Sequence, residues 1–221
     1  MATTMTDFAA DREAMVERQL RRRGISDPQI LDAFRAVPRE AFVDAQYAHL
    51  AYGDHPLPIA AGQTISQPYI VALMIEATTI GHTDLVLEVG SGSGYAAAVI
   101  SRIADRVVGI ERQHELVELA RERLARLGFD NVEIVEGDGT TGWPAGAPYD
   151  AILAAASGSH VPQPLIDQLA AGGSLVMPVG QPGGVQRLVK VTKARDGGVE
   201  RSDLGAVRFV PLIGEEGWNH G

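Results

Sequence analysis

Short apolar runs alternate along this chain with longer segments in which apolar residues recur at helical spacing. The runs lie at residues 85–89, 107–111, 132–135, 149–154 and 174–179. Runs of this length, bounded by glycine, proline and polar residues, are typical of buried strands. Because helical segments separate them, the pattern predicts a mostly parallel sheet with helices on both faces, which is the doubly wound α/β class.

Helix boundaries are marked by capping residues. Residues 8–23 form a charged helix with a thin apolar stripe, which Gly24 ends. Asp27 and Pro28 are a typical helix start, with aspartate as the cap and proline in the first turn. A further helix is predicted over about residues 113–127. We expect the first helices to pack as a cap against the sheet.

A long irregular stretch follows the first helices. Residues 47–68 carry tyrosine, leucine and isoleucine without a regular period, and loops of this length are usually functional. We expect one domain over residues 1–221. Within it, the helical cap and this loop occupy about residues 7–80, and the sheet with its C-terminal strands occupies about residues 81–214.

The carboxyl-terminal part of the chain is predicted to form antiparallel strands. Residues 186–193 and 199–202 flank the tripeptide 196–198, Asp-Gly-Gly, which is typical of a hairpin turn. Residues 207–213 are predicted to form a last, antiparallel strand.

Composition and charge narrow the function classes. The chain has no cysteine and a net charge of −9, with a pI near 5.1. This acidic balance argues against DNA, RNA or an anionic membrane as a partner. Without cysteine, disulfides, thiolate nucleophiles and cysteine metal sites are excluded. No apolar run of about 18 residues and no signal-peptide pattern occurs, so we expect a soluble cytoplasmic protein. We also expect it to be a monomer.

The stretch after the first strand carries the strongest chemical signal. Gly90, Gly92 and Gly94 alternate with serines, and Glu88 precedes them. A dinucleotide-binding loop has the spacing Gly-x-Gly-x-x-Gly and holds a pyrophosphate, which a neighbouring carboxylate would repel. The same carboxylate suits a ligand that carries ammonium and sulfonium groups. The pattern therefore favours S-adenosylmethionine over NAD, although alternate glycines alone also occur in plain turns.

Two acidic residues follow the next two strands. Glu111 ends the second strand, and Asp138 lies between glycines after the third. Ligands of open α/β sheets bind beyond the carboxyl ends of the strands. We therefore expect Glu111 to accept from ribose hydroxyls and Asp138 from the adenine amino group. The alternatives are a helix-start acid for Glu111 and a turn cap for Asp138.

The methyl acceptor is inferred by elimination. The fourth strand is not followed by the Asp/Asn-Pro-Pro-aromatic run that is similar among enzymes methylating amino nitrogens. The six histidines are scattered without metal-ligand spacing, so we predict no metal site. An acceptor that requires neither metal nor strong base is indicated, and a carboxylate fits because it is ionised at neutral pH.

The chain also resembles a known family. The run Gly53-Asp54-His55-Pro56-Leu57-Pro58-Ile59, followed by Gly62-Gln63-Thr64-Ile65-Ser66-Gln67-Pro68-Tyr69, looks like the signature of protein-L-isoaspartate (D-aspartate) O-methyltransferases. Residues 87–95, 137–139, 142–144, 148–152 and 207–212 are also similar to that family. The resemblance covers about residues 12–214.

The resemblance implies a fold and a reaction. The fold is the S-adenosylmethionine-dependent methyltransferase (Rossmann-like) type, a seven-stranded, mostly parallel sheet with an N-terminal helical cap and antiparallel C-terminal strands. The reaction is methylation of the free α-carboxylate of L-isoaspartyl residues in damaged proteins and peptides. The ester then closes to a succinimide, part of which reopens as normal aspartyl.

The family's site residues carry over by position. The active-site serine corresponds to Ser66, which we interpret as a hydroxyl donor because its motif holds no histidine or lysine to activate a nucleophile. The alternative for Ser66 is a cap for the following helix. The cofactor residues correspond to Thr64, Ile65, Gln67, Glu88, Gly90, Ser91, Gly92, Gly94, Glu111, Arg112, Gly137, Asp138 and Gly139, and the substrate residues to Pro58, Ile59, Ser66 and Val210.

One segment departs from the family pattern. Residues 155–160 read Ala-Ala-Ser-Gly-Ser-His where the family often has a Thr-Ala-Ala-Pro-like sequence, and this segment lies near the acceptor pocket. Two alternatives therefore stay open. One is a small-molecule carboxyl or hydroxyl O-methyltransferase on the same scaffold, and the other is a nucleotide-binding regulatory protein without catalysis.

Overall fold

Nine strands form two sheets within residues 7–219, the part of the chain that this computed structural model describes. The small sheet is the antiparallel pair β1 (Leu57–Pro58) and β2 (Thr64–Ile65). The main sheet contains β3 (Leu85–Val89), β4 (Arg106–Glu111), β5 (Val132–Glu136), β6 (Tyr149–Ala154), β7 (Leu169–Val179), β8 (Gln186–Lys193) and β9 (Val199–Val207).

The main sheet has the strand order β5-β4-β3-β6-β7-β8-β9. Strands β3 to β7 are parallel, whereas β8 and β9 pair antiparallel with their neighbours. The predicted doubly wound class and the antiparallel C-terminal strands are therefore confirmed. The chain winds outward from β3 to β5 and then returns to β6 on the other side of β3. Ligands of such sheets bind where the strand order reverses, at the carboxyl ends of the strands.

The helices begin and end close to the predicted positions. Helix α1 (Phe8–Met15) continues through a wider turn and a tight turn to Arg23, and Gly24 ends it at φ 104°. Helix α2 (Pro28–Ala36) is capped by the carboxylate of Asp27, which accepts from the N–H of Gln29. The remaining helices are α3 (Pro68–Thr78), α4 (Tyr95–Ile100), α5 (His114–Leu127) and α6 (Gln163–Asp167).

Three strands differ from the prediction, the first being β9, which runs on to Val207 rather than over 199–202. Strand β7 begins at Leu169 rather than at 174, with an irregular register opposite Tyr149. Gly173 permits this start, because a Cβ there would lie 2.8 Å from the carbonyl oxygen of Asp150. The predicted strand over 207–213 is wrong: beyond β9 this segment makes only isolated bridges, one of them from Pro211, which has no N–H for a ladder.

Apolar cores cover both faces of the main sheet. On one face, Met15 and Phe34 of the cap pack in one continuous cluster with Val86 of β3 and Leu116 of α5. The cluster on the other face includes Leu165 of α6. No helix within residues 7–219 combines the length and the apolar character that a membrane span requires.

Candidate functional site

Two depressions meet at the carboxyl ends of β3, β4 and β6. The inner pocket is bounded by the glycine loop after β3, by the end of β4, and by residues 63–66 and 209–213. The outer cleft lies beside it and is bounded by Pro56, Ile70 and residues 206–208. Both are lined by Thr64, Ser66, Ala155, Phe209, Val210 and Pro211, so the two spaces lie side by side along these residues.

The glycine loop wraps tightly around the base of the inner pocket. Gly90, Gly92 and Gly94 all have positive φ, between 52° and 83°. A Cβ on Gly92 would approach Cδ1 of Ile59 to 3.3 Å, and one on Gly94 would approach Cβ of Ala120 to 3.3 Å. Glycine is therefore required both for the backbone conformation and for close packing.

Glu88 is a buried carboxylate with unused hydrogen-bonding capacity. It is 2% exposed, lines the inner pocket, and has an Oε2 atom without a partner among the described residues. The buried hydroxyl of Ser91 is likewise unpartnered. Burial, reinforced by the like charge of Glu111, raises the pKa of Glu88 to about 8. An orphaned acid of this kind fits the ammonium group of a ligand, which would restore its ionised form.

Glu111 joins the end of β4 to the glycine loop. Its Oε1 accepts from the N–H groups of Arg112 and Gln113 at 2.8 and 2.9 Å, and its Oε2 accepts from the N–H of Gly92 at 3.0 Å. The side chain also lines the inner pocket. Oε2 keeps a lone pair for a ribose hydroxyl, while the bond from Gln113, just before α5, agrees with the helix-start alternative.

Asp138 is occupied by its neighbours. Its Oδ1 accepts from the N–H and the hydroxyl of Thr140 at 2.8 and 2.7 Å, and its Oδ2 accepts from the N–H of Glu215 at 2.7 Å. Partial burial acts to raise the pKa of Asp138, but these hydrogen bonds outweigh it and hold the pKa below its usual value. The turn-cap role is therefore present, and of residues 137–139 only Gly139 lines the inner pocket.

Ser66 lies where the inner pocket and the outer cleft join. Helix α3 begins after Gln67 without a side-chain cap, so the helix-cap alternative for Ser66 is wrong. The half-buried Ser66 side chain lines both spaces, and its hydroxyl makes no hydrogen bond within residues 7–219. A hydroxyl donor is thus available at the point where an acceptor must meet a methyl donor.

Val210 presents a backbone donor to the same junction. Its carbonyl oxygen accepts from the N–H of Ser157 at 2.8 Å and from the Ser157 hydroxyl at 3.2 Å. Its own N–H has no hydrogen-bond partner in the described part of the chain. Ser157 thus anchors the peptide group that follows Val210, beside the residue that carries the free N–H.

The predicted site residues either line the two spaces or support them from behind. The inner pocket is lined by Thr64, Ile65, Glu88, Gly90, Ser91, Gly92, Glu111, Arg112 and Gly139. Gln67 faces the outer cleft instead, and its amide donates to Asp54 at 2.8 Å. Pro58 pairs with Thr64 in the small sheet, and Ile59 supports Gly92 from behind. Gly94, Gly137 and Asp138 support the pocket from outside its lining.

One residue behind the site was not predicted from the sequence. Arg39 is fully buried, and its Nη2 donates to the carbonyl oxygen of Ser66 at 2.8 Å. Nothing in its local sequence signals this contact, because it joins positions 27 residues apart. Pro211, Leu212 and Ile213 also line the inner pocket, in the segment that the sequence assigns to a strand.

The sequence of this chain is similar to those of known proteins. Residues 10–217 match the family model described as protein-L-isoaspartate(D-aspartate) O-methyltransferase. Protein-L-isoaspartate O-methyltransferase 1 of Rhodopseudomonas palustris is 56% identical over 213 residues, covering 96% of this chain and 87% of the relative. Protein-L-isoaspartate O-methyltransferase 2 of Pelobacter propionicus is 56% identical over 207 residues, covering 94% and 92%.

Solved structures agree. A protein-L-isoaspartate O-methyltransferase superposes with a TM-score of 0.82 at 31% identity, covering 93% of this chain and 66% of that one. A putative protein-L-isoaspartate O-methyltransferase from Plasmodium falciparum, solved with S-adenosyl-L-homocysteine, superposes with a TM-score of 0.79 at 27% identity, covering 91% and 98%. The chain therefore belongs to the protein-L-isoaspartate(D-aspartate) O-methyltransferase family.

Proposed function

We propose that this chain methylates the free α-carboxylate of L-isoaspartyl residues in proteins and peptides, with S-adenosylmethionine as the methyl donor. One observation carries the proposal. The inner pocket and the outer cleft adjoin at Ser66 and Val210, which line both spaces. A donor held in the pocket would therefore lie next to an acceptor held in the cleft.

The inner pocket suits S-adenosylmethionine. We assign Glu88, with its unpartnered Oε2, to the ammonium group, and Glu111, with its remaining lone pair, to the ribose. The glycine loop allows the backbone to approach the ligand closely. Asp138 has only one lone pair of Oδ2 left for the adenine amino group. We therefore assign its carboxylate mainly to holding the backbone at Thr140 and Glu215 in place.

Ser66 and Val210 are our candidates for holding the acceptor. A carboxylate accepts two or more hydrogen bonds at once, and the hydroxyl of Ser66 and the N–H of Val210 are two unused donors lining one junction. S-adenosylmethionine supplies an electrophilic methyl group on its sulfonium. Because the attacking carboxylate is already ionised at neutral pH, the chain has to supply orientation and water exclusion rather than a general base.

The outer cleft suits a peptide. It lies open beside the junction, and its walls combine apolar Pro56 and Ile70 with the exposed cation Arg208. A main-chain segment carrying an isoaspartyl residue needs such an open groove. After release, the amide nitrogen of the residue that follows the isoaspartyl residue attacks the ester carbonyl. Its proton and the methoxy group leave as methanol, and the succinimide forms.

A paired-peptide assay tests the proposal. The purified protein is incubated with S-adenosylmethionine and either an isoaspartyl peptide or the same sequence with normal aspartate. We expect methyl transfer to the isoaspartyl peptide alone. Equal labelling of both peptides, or labelling of neither, would contradict the proposed function.

We further propose that the protein acts as a cytoplasmic monomer without nucleic-acid or membrane partners. The net charge of −9 supports this proposal. So does the scatter of large exposed apolar side chains, which among the described residues are Leu50, Val185 and Val199. Sedimentation at micromolar concentration tests the monomer, and cell fractionation tests the location.

A further inference from the structure

A buried arginine lies behind the acceptor loop. Arg39 is 0% exposed, and its Nη2 and Nε donate to the carbonyl oxygens of Ser66 and Ala51, each at 2.8 Å. No carboxylate forms an ion pair with Arg39 within residues 7–219. The adjacent Glu40 pairs with Arg12 instead, at 3.1 Å. The charge of Arg39 is therefore uncompensated.

The side chains around Arg39 exclude water from its guanidinium group. Its guanidinium lies 4.8 Å from the centre of the Tyr95 ring, and both its Nη1 and the Tyr95 hydroxyl are buried without partners in the described chain. Burial lowers the pKa of Arg39, but a guanidinium starts from so high a pKa that it stays charged at neutral pH. Tyr95 itself lines the inner pocket.

The other charges around the site do not favour an anion. Glu88 and Glu111 line the inner pocket, and the whole chain is acidic. Arg208 stands at the exposed rim of the outer cleft, where solvent screens it. Arg39, by contrast, acts through a low-dielectric interior on Ser66, whose hydroxyl is the proposed donor to the methyl acceptor.

We propose that Arg39 is a positioning residue for the methyl acceptor. Its hydrogen bond to the carbonyl of Ser66 holds the backbone that carries the hydroxyl, and its bond to the carbonyl of Ala51 ties that backbone to the preceding loop. Its unpaired charge makes the junction prefer a carboxylate over a neutral group. This inference rests on the proposed function and names the source of its selectivity for an anionic acceptor.

The test measures charge preference rather than activity alone. An isoaspartyl peptide and its α-carboxamide counterpart, which has the same shape without the charge, are compared as competitive ligands. Arg39→Gln removes the charge but retains a donor, and Arg39→Lys retains the charge. Arg123→Gln is the matched control, because Arg123 is a second buried arginine with an unpartnered Nη1 and lies outside both linings.

We expect the unmodified enzyme to bind the carboxylate at least about tenfold more tightly than the carboxamide, from a charge acting across several ångströms of protein. In Arg39→Gln the ratio should fall to about twofold. Arg39→Lys and Arg123→Gln should keep the ratio, and all variants should bind S-adenosylmethionine normally. A merely structural role would weaken both peptides by the same factor and leave the ratio unchanged.

Several outcomes would overturn the proposal. One is a folded Arg39→Gln protein with the unmodified ratio. Another is a carboxylate-to-carboxamide affinity ratio near one in the unmodified enzyme, which would refute the proposal even if Arg39→Gln does not fold. A third is loss of this ratio in Arg39→Lys, which would refute the proposal in the same way. An enzyme that methylates isoaspartyl peptides but fails these tests refutes the role of Arg39 alone, whereas one that methylates none refutes the proposed function as well.

Discussion

Ser66 brings a hydroxyl to the junction without using it in the fold. Because that hydroxyl has no partner within residues 7–219, its removal should cost little stability. We expect Ser66→Ala to lower kcat/KM for an isoaspartyl peptide by about 10- to 100-fold, the effect of one hydrogen bond to a charged group. The affinity for S-adenosylmethionine should stay unchanged. Ser202→Ala, at an exposed position of β9, is the control, and equal kinetics in both variants would exclude the assigned role.

Glu88 makes the cofactor-free protein sensitive to pH. Its pKa is about 8 in the folded chain against 4.5 for a solvated glutamate. Between these values the folded state binds one more proton than the unfolded state, so the free energy of unfolding decreases as pH rises. We expect this decrease to be smaller in Glu88→Gln by about 2–4 kcal/mol over the window.

Denaturant unfolding of the cofactor-free protein at several pH values measures this difference. Parallel pH profiles for the two proteins would contradict the burial of an ionisable Glu88. The same variant should bind S-adenosylmethionine at least about tenfold more weakly, because the ammonium loses its charged partner.

Individual site residues were predictable where their role is local. Glu88, Gly92 and Glu111 stand at strand ends, and strand ends gather at one edge of a parallel sheet. For Asp138 the sequence offered the turn-cap role, which Thr140 confirms, but not the contact of its second oxygen with a residue 77 positions away. Nor could it find Arg39, because a buried arginine is uncommon and its partners come from distant loops.

At the scale of single elements, the glycine loop offers a clean substitution test. Gly92→Ala combines an unfavourable φ of 52° with a Cβ 3.3 Å from Cδ1 of Ile59. Gly128→Ala, at φ 73° with nothing within 4 Å, is the matched control for backbone strain alone. Each should lose about 1 kcal/mol of stability. Only Gly92→Ala should also weaken binding of S-adenosylmethionine, which calorimetry can measure; equal binding would show that the loop tolerates a side chain.

Elements were predictable as far as their signals are local. The helices at 8–23 and 113–127 carry their own apolar stripe and a terminal glycine, and the strand at 85–89 is apolar except for Glu88. The start of β7 depends on the approach of Gly173 to the carbonyl of Asp150. The segment 207–213 has strand-like composition, but its bridge partners are Ser157, beyond the end of β6, and Trp218, in the loop that follows the segment. Such distant contacts leave no periodicity in the sequence.

On the scale of the whole molecule, the cap and the sheet share one apolar cluster. Met15 and Phe34 of the cap pack with Val86 of the sheet. We therefore propose a single domain and expect one cooperative unfolding transition, with coincident loss of secondary and tertiary signals. S-adenosylhomocysteine at 100 times its Kd should raise the free energy of unfolding by about 2.7 kcal/mol. Two separate transitions, with only one moved by the ligand, would contradict this organisation.

The segment 209–215 closes the site from late in the chain. It reaches back to Ser157 through the carbonyl of Val210 and to Asp138 through the N–H of Glu215. During synthesis, the cap and the first strands emerge from the ribosome well before this segment does. In a nascent chain the inner pocket would thus lack the wall that residues 209–213 form, and the pocket could not position a bound methyl donor. Ribosome-bound chains arrested before residue 209 should be inactive, so that repair begins only once the enzyme's own folding has been completed.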